Sequence, residues 1–112
     1  MDDLGLAHSR YDFMYHIVFI PKDRRKAMFG KLRREVGEIL GEVCRMEEIT
    51  IIKAATMTDH AHMYVSIPLK LCVSKVIGRI KGKSALMIFD RHPECREKYN
   101  RHFWQEDITV KR

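Results

Sequence analysis

Along residues 11–20 the odd positions are all apolar or aromatic: Tyr11, Phe13, Tyr15, Ile17 and Phe19. The even ones mix Asp12, Met14 and His16 with Val18 and Ile20. A period of two predicts a strand, which Pro21 ends. The mixed even set suits a central strand with one wetter end. Over residues 31–46 the period changes. Leu32, Val36, Ile39, Leu40, Val43 and Met46 form one helical stripe. A second strand is expected over 47–57, through Ile49, Thr50, Ile51 and Ile52. Thr58 and Asp59 turn it into a third, which runs from His60 and stops at Pro68.

A second amphipathic helix is expected over 73–90, with Val73, Val76, Ile77, Ile80, Ser84, Met87 and Ile88 on one face. Gly78 and Gly82 weaken it by about 1 kcal/mol each relative to alanine, and would let another backbone or a phosphate approach closely. Residues 92–101 read as a polar connection, after which Phe103 and Trp104 open a last extended segment. The order β-α-β-β-α-β predicts an α+β, ferredoxin-like domain, an antiparallel sheet with two helices on one face.

Strand alternation has a further consequence for the third strand. Ala61, Met63, Val65 and Ile67 share the face that wants a core, while His60, His62, Tyr64 and Ser66 share the other. The two imidazoles are then expected side by side on the uncovered face. Histidines at this spacing read as surface residues or as two ligands of one metal ion. Asp59 beside them reads as a turn residue or as an acceptor that orients an imidazole. His16, on a neighbouring strand, reads as a structural histidine.

Composition narrows the class. A chain of 112 residues, 46% hydrophobic and 32% charged, is expected to be one globular domain over 1–112. It has neither the apolar run of about 20 residues that a membrane helix needs nor the opening of a signal peptide. Cys44, Cys72 and Cys95, odd in number and widely spaced, read as ordinary thiols of a reduced, cytoplasmic protein. The net charge of +6 and a pI near 9.4 favour an anionic partner, most often nucleic acid. Lys22, Arg24, Arg25 and Lys26 cluster after the first strand, with Lys31, Arg33 and Arg34 following; Lys75, Arg79, Lys81 and Lys83 lie on the second helix. Each group reads equally as a solvated helix face. No Ser-His-Asp or Cys-His arrangement and no phosphate-binding glycine loop is recoverable.

Several ordered stretches carry a family resemblance. They are His8-Ser9-Arg10-Tyr11, Tyr15-His16-Ile17-Val18-Phe19, Pro21-Lys22 with Arg24-Arg25, and Asp59-His60-Ala61-His62 with Ser66-Ile67-Pro68. Ser74-Lys75-Val76, Lys81-Gly82-Lys83-Ser84 with Met87-Ile88-Phe89, and Asn100-Arg101-His102-Phe103-Trp104 complete the set. The chain resembles the single-strand DNA transposases of the insertion-sequence two-hundred type, the one-tyrosine members of the HUH endonucleases. The resemblance implies a homodimer that recognises single-stranded DNA hairpins and makes no use of a membrane. It implies a divalent ion, Mg²⁺ or Mn²⁺, on His60 and His62, polarising a phosphate that a tyrosine attacks. Lys22, Arg24, Arg25, Lys81 and Lys83 are the candidate DNA phosphate contacts.

The same resemblance marks a departure. The family's nucleophilic tyrosine lies on a helix beyond the last strand, and Tyr11, Tyr15, Tyr64 and Tyr99 all precede Trp104. Where the family continues Ala-Arg-Gly-Tyr-Tyr, this chain has Gln105-Glu106-Asp107-Ile108-Thr109. Codons for the family residues, read one base out of frame, can encode these five. The expectation is a single-base frameshift at codon 105, a domain without its catalytic helix, hairpin affinity retained and strand cleavage absent.

Overall fold

In the computed structural model, the described residues are 12–22, 28–98 and 102–112. Seven elements follow in order: β1 (Asp12–Phe19), α1 (Gly30–Met46), β2 (Thr50–Thr56), β3 (Ala61–Pro68), α2 (Val73–Arg91), α3 (Glu94–Lys98) and β4 (Thr109–Lys111). The sheet order is β2-β3-β1-β4, with every pairing antiparallel. This is the ferredoxin-like arrangement that the alternation of periods implies.

β1 and β3 form the centre of the sheet, in register from Asp12 opposite Pro68 to Phe19 opposite Ala61. Their odd residues Ile17, Phe19, Ala61, Met63, Val65 and Ile67 are buried in one cluster with Val36, Ile39, Leu40 and Val43 of α1 and Val76, Ile77, Ile80 and Ile88 of α2. Both helices therefore cover one side, and each large side chain so buried contributes about 1.5–3 kcal/mol. Where α1 crosses β2 the approach is close: a Cβ on Gly37 would lie 2.9 Å from Thr56 Oγ1.

α1 ends in a pair of closing hydrogen bonds, from Glu48 N to Arg45 O at 3.1 Å and from Ile49 N to Cys44 O at 2.8 Å. Glu48 adopts φ 61° to make them, a left-handed conformation that costs a residue with a Cβ about 1 kcal/mol. The apolar contact that accompanies such an ending is present, since Ile49 and Cys44 are both buried.

The structure corrects several boundaries. Met46, at the end of the expected apolar stripe and the last residue of α1, is 55% exposed. The connection after α2 contains the short helix α3. Gly78 and Gly82 have nothing within 4 Å of an added Cβ, so no described backbone of this chain approaches them. Phe103 and Trp104 make only an isolated bridge, Trp104 to Pro21; the regular last strand lies later, with Thr109 opposite Val18 and Lys111 opposite His16. The tail after Trp104 thus pairs with the free edge of β1, partly buries Ile108 and Val110 against the core, and lays the Arg112 guanidinium 3.9 Å above the Phe13 ring. Among the described residues no helix is long and apolar enough to cross a membrane.

Charge ties the helices together above the core. Glu47, at the end of α1, accepts from Arg79 Nε at 2.6 Å and from Lys83 Nζ at 2.8 Å. These bonds, that of Lys83 first, hold its carboxyl below the ordinary glutamate range. A depressed carboxylate stabilises the fold fully above the unfolded value of about 4.3, and that contribution is lost as pH falls through the lower folded value. Glu47→Gln should therefore give a flatter decline in urea stability than the parent between about pH 5 and pH 3. Parallel curves for the two proteins would show that the strut adds nothing.

Candidate functional site

The uncovered face of the sheet is laid out by strand register. One row across the sheet holds Ala55, His62, Val18 and Thr109, and the next holds Lys53, Tyr64, His16 and Lys111. His16 and His62 are diagonal neighbours on adjacent strands. His16 Nδ1 lies 3.2 Å from His62 Nε2, and the His16 ring stacks on Tyr64 with centroids 4.4 Å apart and planes 26° from parallel. These three side chains, with Lys53, Ala54 and Ala55, line a shallow cleft of about 280 Å³. Farther along the same face Ser66 is 1% exposed and donates to Asp12 Oδ2 at 2.9 Å, so this end of the face is closed.

His60 differs from its expected placement. It precedes β3, which begins at Ala61. Its Nδ1 lies 2.8 Å from Asp59 Oδ1, which leaves Nε2 as the nitrogen able to bind a ligand. Asp59 therefore serves in the turn and orients the imidazole as well. His16, expected as a structural histidine, is an exposed partner of His62. The face thus presents three histidines, with His62 turned to His16 rather than held in a strand pair with His60.

A hard ion such as Mg²⁺ is held chiefly by oxygen atoms in near-octahedral geometry. The donors here are imidazole nitrogens, and among the described residues no group of three or more His, Cys, Asp or Glu converges on one point. Among the described residues His60 and His62 would therefore supply two of the ligands of the Mg²⁺ or Mn²⁺ that the resemblance implies, and no third His, Cys, Asp or Glu joins them. Of the tyrosines, Tyr64 is engaged with His16, and Tyr15 lies on the helix-covered side against the core. Tyr11 and Tyr99 lie outside the described residues.

The candidate phosphate contacts divide. Lys22, just past β1, and Lys81, on α2, line one cleft of about 350 Å³ together with His102, Trp104 and Glu106. Main-chain bonds frame it at one side: Lys22 N donates to Phe103 O at 2.8 Å and Gln105 N to Ile20 O at 2.7 Å. Lys81 Nζ donates to Glu106 O at 3.0 Å, which steadies the ammonium without neutralising it. This cleft is at the end of the sheet where β1 finishes opposite Ala61, so it shares that end with His60 and His62. Lys83 is turned away and bound to Glu47. Arg24 and Arg25 lie outside the described residues. His102 is a cleft residue that sequence reasoning misses; its place beside Phe103-Trp104 is the available signal, because that pair anchors the segment.

The thiols are not equivalent. Burial pushes the Cys44 thiol up to about 11, and Cys95 is buried. Cys72, exposed at the start of α2, is held below the ordinary range, first by the Ser74 hydroxyl and then by the Lys75 amide. It is the exposed thiol of the three.

Residues 9–111 match the family described as Transposase IS200 like. The transposase for insertion sequence element IS200 of Salmonella typhimurium is 45% identical over 104 residues, covering 92% of this chain and 68% of that protein. The ISDra2 transposase TnpA of Deinococcus radiodurans is 25% identical over 101 residues, covering 89% and 72%. Among solved structures, a Deinococcus radiodurans protein assigned to the transposases superposes with a TM-score of 0.85 at 18% identity, covering all of this chain and 85% of the other. The REP-associated tyrosine transposase bound to a REP hairpin superposes with a TM-score of 0.64 at 14% identity, covering 99% and 61%. The match to the family over nearly the whole length, together with the sheet order and the open histidine face, places this chain in the IS200-like transposase family.

Proposed function

We propose that this domain binds single-stranded DNA hairpins at the Lys22–Lys81 cleft, as a homodimer, for the strand cleavage and transfer of an IS200-type element. The observation that carries this reading is the convergence of Lys22 and Lys81, from segments far apart in sequence, on one cleft beside His102. Two ammonium groups and an imidazole edge at the end of a sheet suit a phosphate backbone leaving a hairpin stem. Phosphate contacts of this kind set register and affinity, and base pairing in the stem supplies shape. A solved relative in fold is bound to a REP hairpin, which supports the choice of DNA form.

The residues divide the work. Lys22 and Lys81 hold phosphate oxygens by charge-assisted hydrogen bonds. His60, held through Nδ1 by Asp59, keeps Nε2 available and, when that nitrogen carries a proton, can donate to a phosphate oxygen. His62 and His16 share their facing nitrogens. A divalent ion would supply polarisation of the scissile phosphate, and His60 and His62 remain its candidate ligands. The described donors do not complete that site, so no step is assigned to the ion.

A second reading has its own observation. Tyr64, the tyrosine on the open face among the described residues, is stacked on His16 within a flat sheet row, which leaves it little freedom for in-line attack on phosphorus. In this reading the 112-residue chain binds hairpins and does not cut them. One experiment separates the two. The purified chain is titrated with a labelled imperfect hairpin at several salt concentrations, and then incubated with Mn²⁺ and resolved under denaturing conditions. Salt-dependent binding supports hairpin recognition, and binding indifferent to salt or equal for unrelated duplex refutes it. A protein–DNA adduct that survives denaturation establishes cleavage; its absence with binding intact establishes the second reading.

A further inference from the structure

We infer, on the reading of the Lys22–Lys81 cleft as the DNA site, that Glu106 makes that cleft selective for an unpaired guanine. Its carboxylate accepts from the two neighbouring donors of the guanine Watson–Crick edge. Lys22, Lys81 and His102 suit phosphate, yet Glu106 lines the same cleft of about 350 Å³. A carboxylate placed on a phosphate path repels it. Among the described residues that carboxylate enters no ion pair or hydrogen bond, because the bond from Lys81 Nζ, at 3.0 Å, goes to the Glu106 main-chain oxygen. The cleft therefore combines cations for phosphate with a free acceptor that phosphate cannot use. In DNA the groups that donate hydrogen bonds are on the base edges.

The tail holds this acceptor in place. Trp104 is buried, Gln105 N donates to Ile20 O at 2.7 Å, and Lys81 clamps the next carbonyl. The main chain that carries the Glu106 side chain is thus fixed before any ligand arrives. Only guanine offers two adjacent donors, N1–H and an N2 amino hydrogen, to match the two oxygens of a carboxylate. Cytosine and adenine each set one amino donor beside a ring acceptor. Thymine sets its one N–H between two carbonyl oxygens, which a carboxylate repels. Guanine O6, next to N1, needs a donor in turn. Lys81 has three ammonium hydrogens and spends one on the Glu106 carbonyl, which leaves one for a phosphate oxygen and one for O6. These edges are paired inside a stem, so the guanine read here belongs to a single-stranded flank or a loop. Glu106 lies in the tail Gln105-Glu106-Asp107-Ile108-Thr109, where this chain departs from the family.

The test uses the whole chain and a set of hairpins with one stem, whose loop and single-stranded flanks are thymine except for one guanine placed at each position in turn. Affinities are compared at fixed salt. Guanine at one position should bind about tenfold more tightly than the all-thymine hairpin, within the range of a bidentate base contact. Adenine and cytosine at that position should lose the gain, and inosine, which lacks only the N2 amino group, should lose most of it. Glu106→Gln should abolish the preference and also bind the all-thymine hairpin about twofold more tightly, the scale of one exposed charge. Glu106→Asp, which keeps both oxygens, should retain a preference for guanine. A residue that only supports the fold would lower all these affinities together. The Glu106 side chain is exposed and the Lys81 bond uses its main chain, so the variants should fold, which circular dichroism checks. Equal binding wherever guanine is placed, full binding of inosine, or a guanine preference unchanged in Glu106→Gln overturns the assignment and leaves hairpin recognition standing. Absence of salt-dependent hairpin binding by the parent overturns both.

Discussion

Trp104→Ala is expected to destabilise the domain by about 3–5 kcal/mol, the range for removing a large aromatic side chain from a core. Small domains are stable by only about 5–15 kcal/mol in total, so this one change should consume a large share. The indole is 2% exposed. It packs on Phe19 at 5.2 Å and edge-on to Phe103 at 4.8 Å. Its Nε1 donates to Ser84 Oγ at 2.9 Å, and Ser84 is itself fully buried and donates to Lys81 O. The substitution removes the ring and strands a buried hydroxyl acceptor at the same time. It also loosens the joint where Trp104 bridges Pro21, which fastens the tail to β1. Trp104→Phe keeps most of the ring and loses the Ser84 bond, so its cost should be nearer to about 1–3 kcal/mol. Urea unfolding of the three proteins reads both differences. A Trp104→Ala cost below about 1 kcal/mol would show that the site collapses freely and that the tail is not anchored there.

The second large effect concerns DNA. The double substitution Lys22→Ala with Lys81→Ala is expected to lower hairpin affinity by about tenfold or more at low salt. It should also reduce the slope of log affinity against log salt by about 1.4–1.8, that is, about 0.7–0.9 for each phosphate no longer neutralised. Lys83→Ala should leave that slope unchanged, because its ammonium is bound to Glu47; its effect should appear in stability instead. The comparison is informative because Lys81 and Lys83 have the same charge on the same helix. If Lys83→Ala reduces the slope and the double variant does not, the phosphate path runs over the Glu47 side of α2, and the cleft reading is wrong.

The division between those two lysines is accessible from helical geometry. Two positions apart on an α-helix differ by about 200° in direction, so Lys81 and Lys83 cannot serve one surface patch. What spacing does not supply is which side each meets. Lys81 meets the tail through Glu106, and Lys83 meets the end of α1 through Glu47. The histidines follow the same pattern. Alternation in β3 puts His62 on the open face, and the period of the odd residues places the core. The importance of His16 is hidden in the sequence because its partner is 46 residues away, and only strand pairing makes them neighbours. His60 joins the strand by alternation alone, because that pattern extends one step past the point where the turn at Asp59 takes over.

The tail shows the limit of local pattern from the other direction. Phe103 and Trp104 carry the strongest apolar signal after α2, and they are core anchors with a single bridge. The weaker Thr109-Val110-Lys111 is the strand, since β1 offers an unpaired edge at that register and an open edge will take any extended segment that lets it bury a Val110.

Sequence by itself determined the order of elements, the two apolar helix faces, the buried set on β1 and β3, the family and the basic character of the chain. Those features depend on periodicity and composition, which are local and repeat over many residues, so a single misplaced boundary does not erase them. Tertiary structure alone decided that His62 meets His16, that Lys22 meets Lys81, and that Glu47 draws Lys83 away. Each of these depends on a register or a crossing angle, where a shift of one residue turns a side chain to the opposite face, and no local pattern along the chain records that choice.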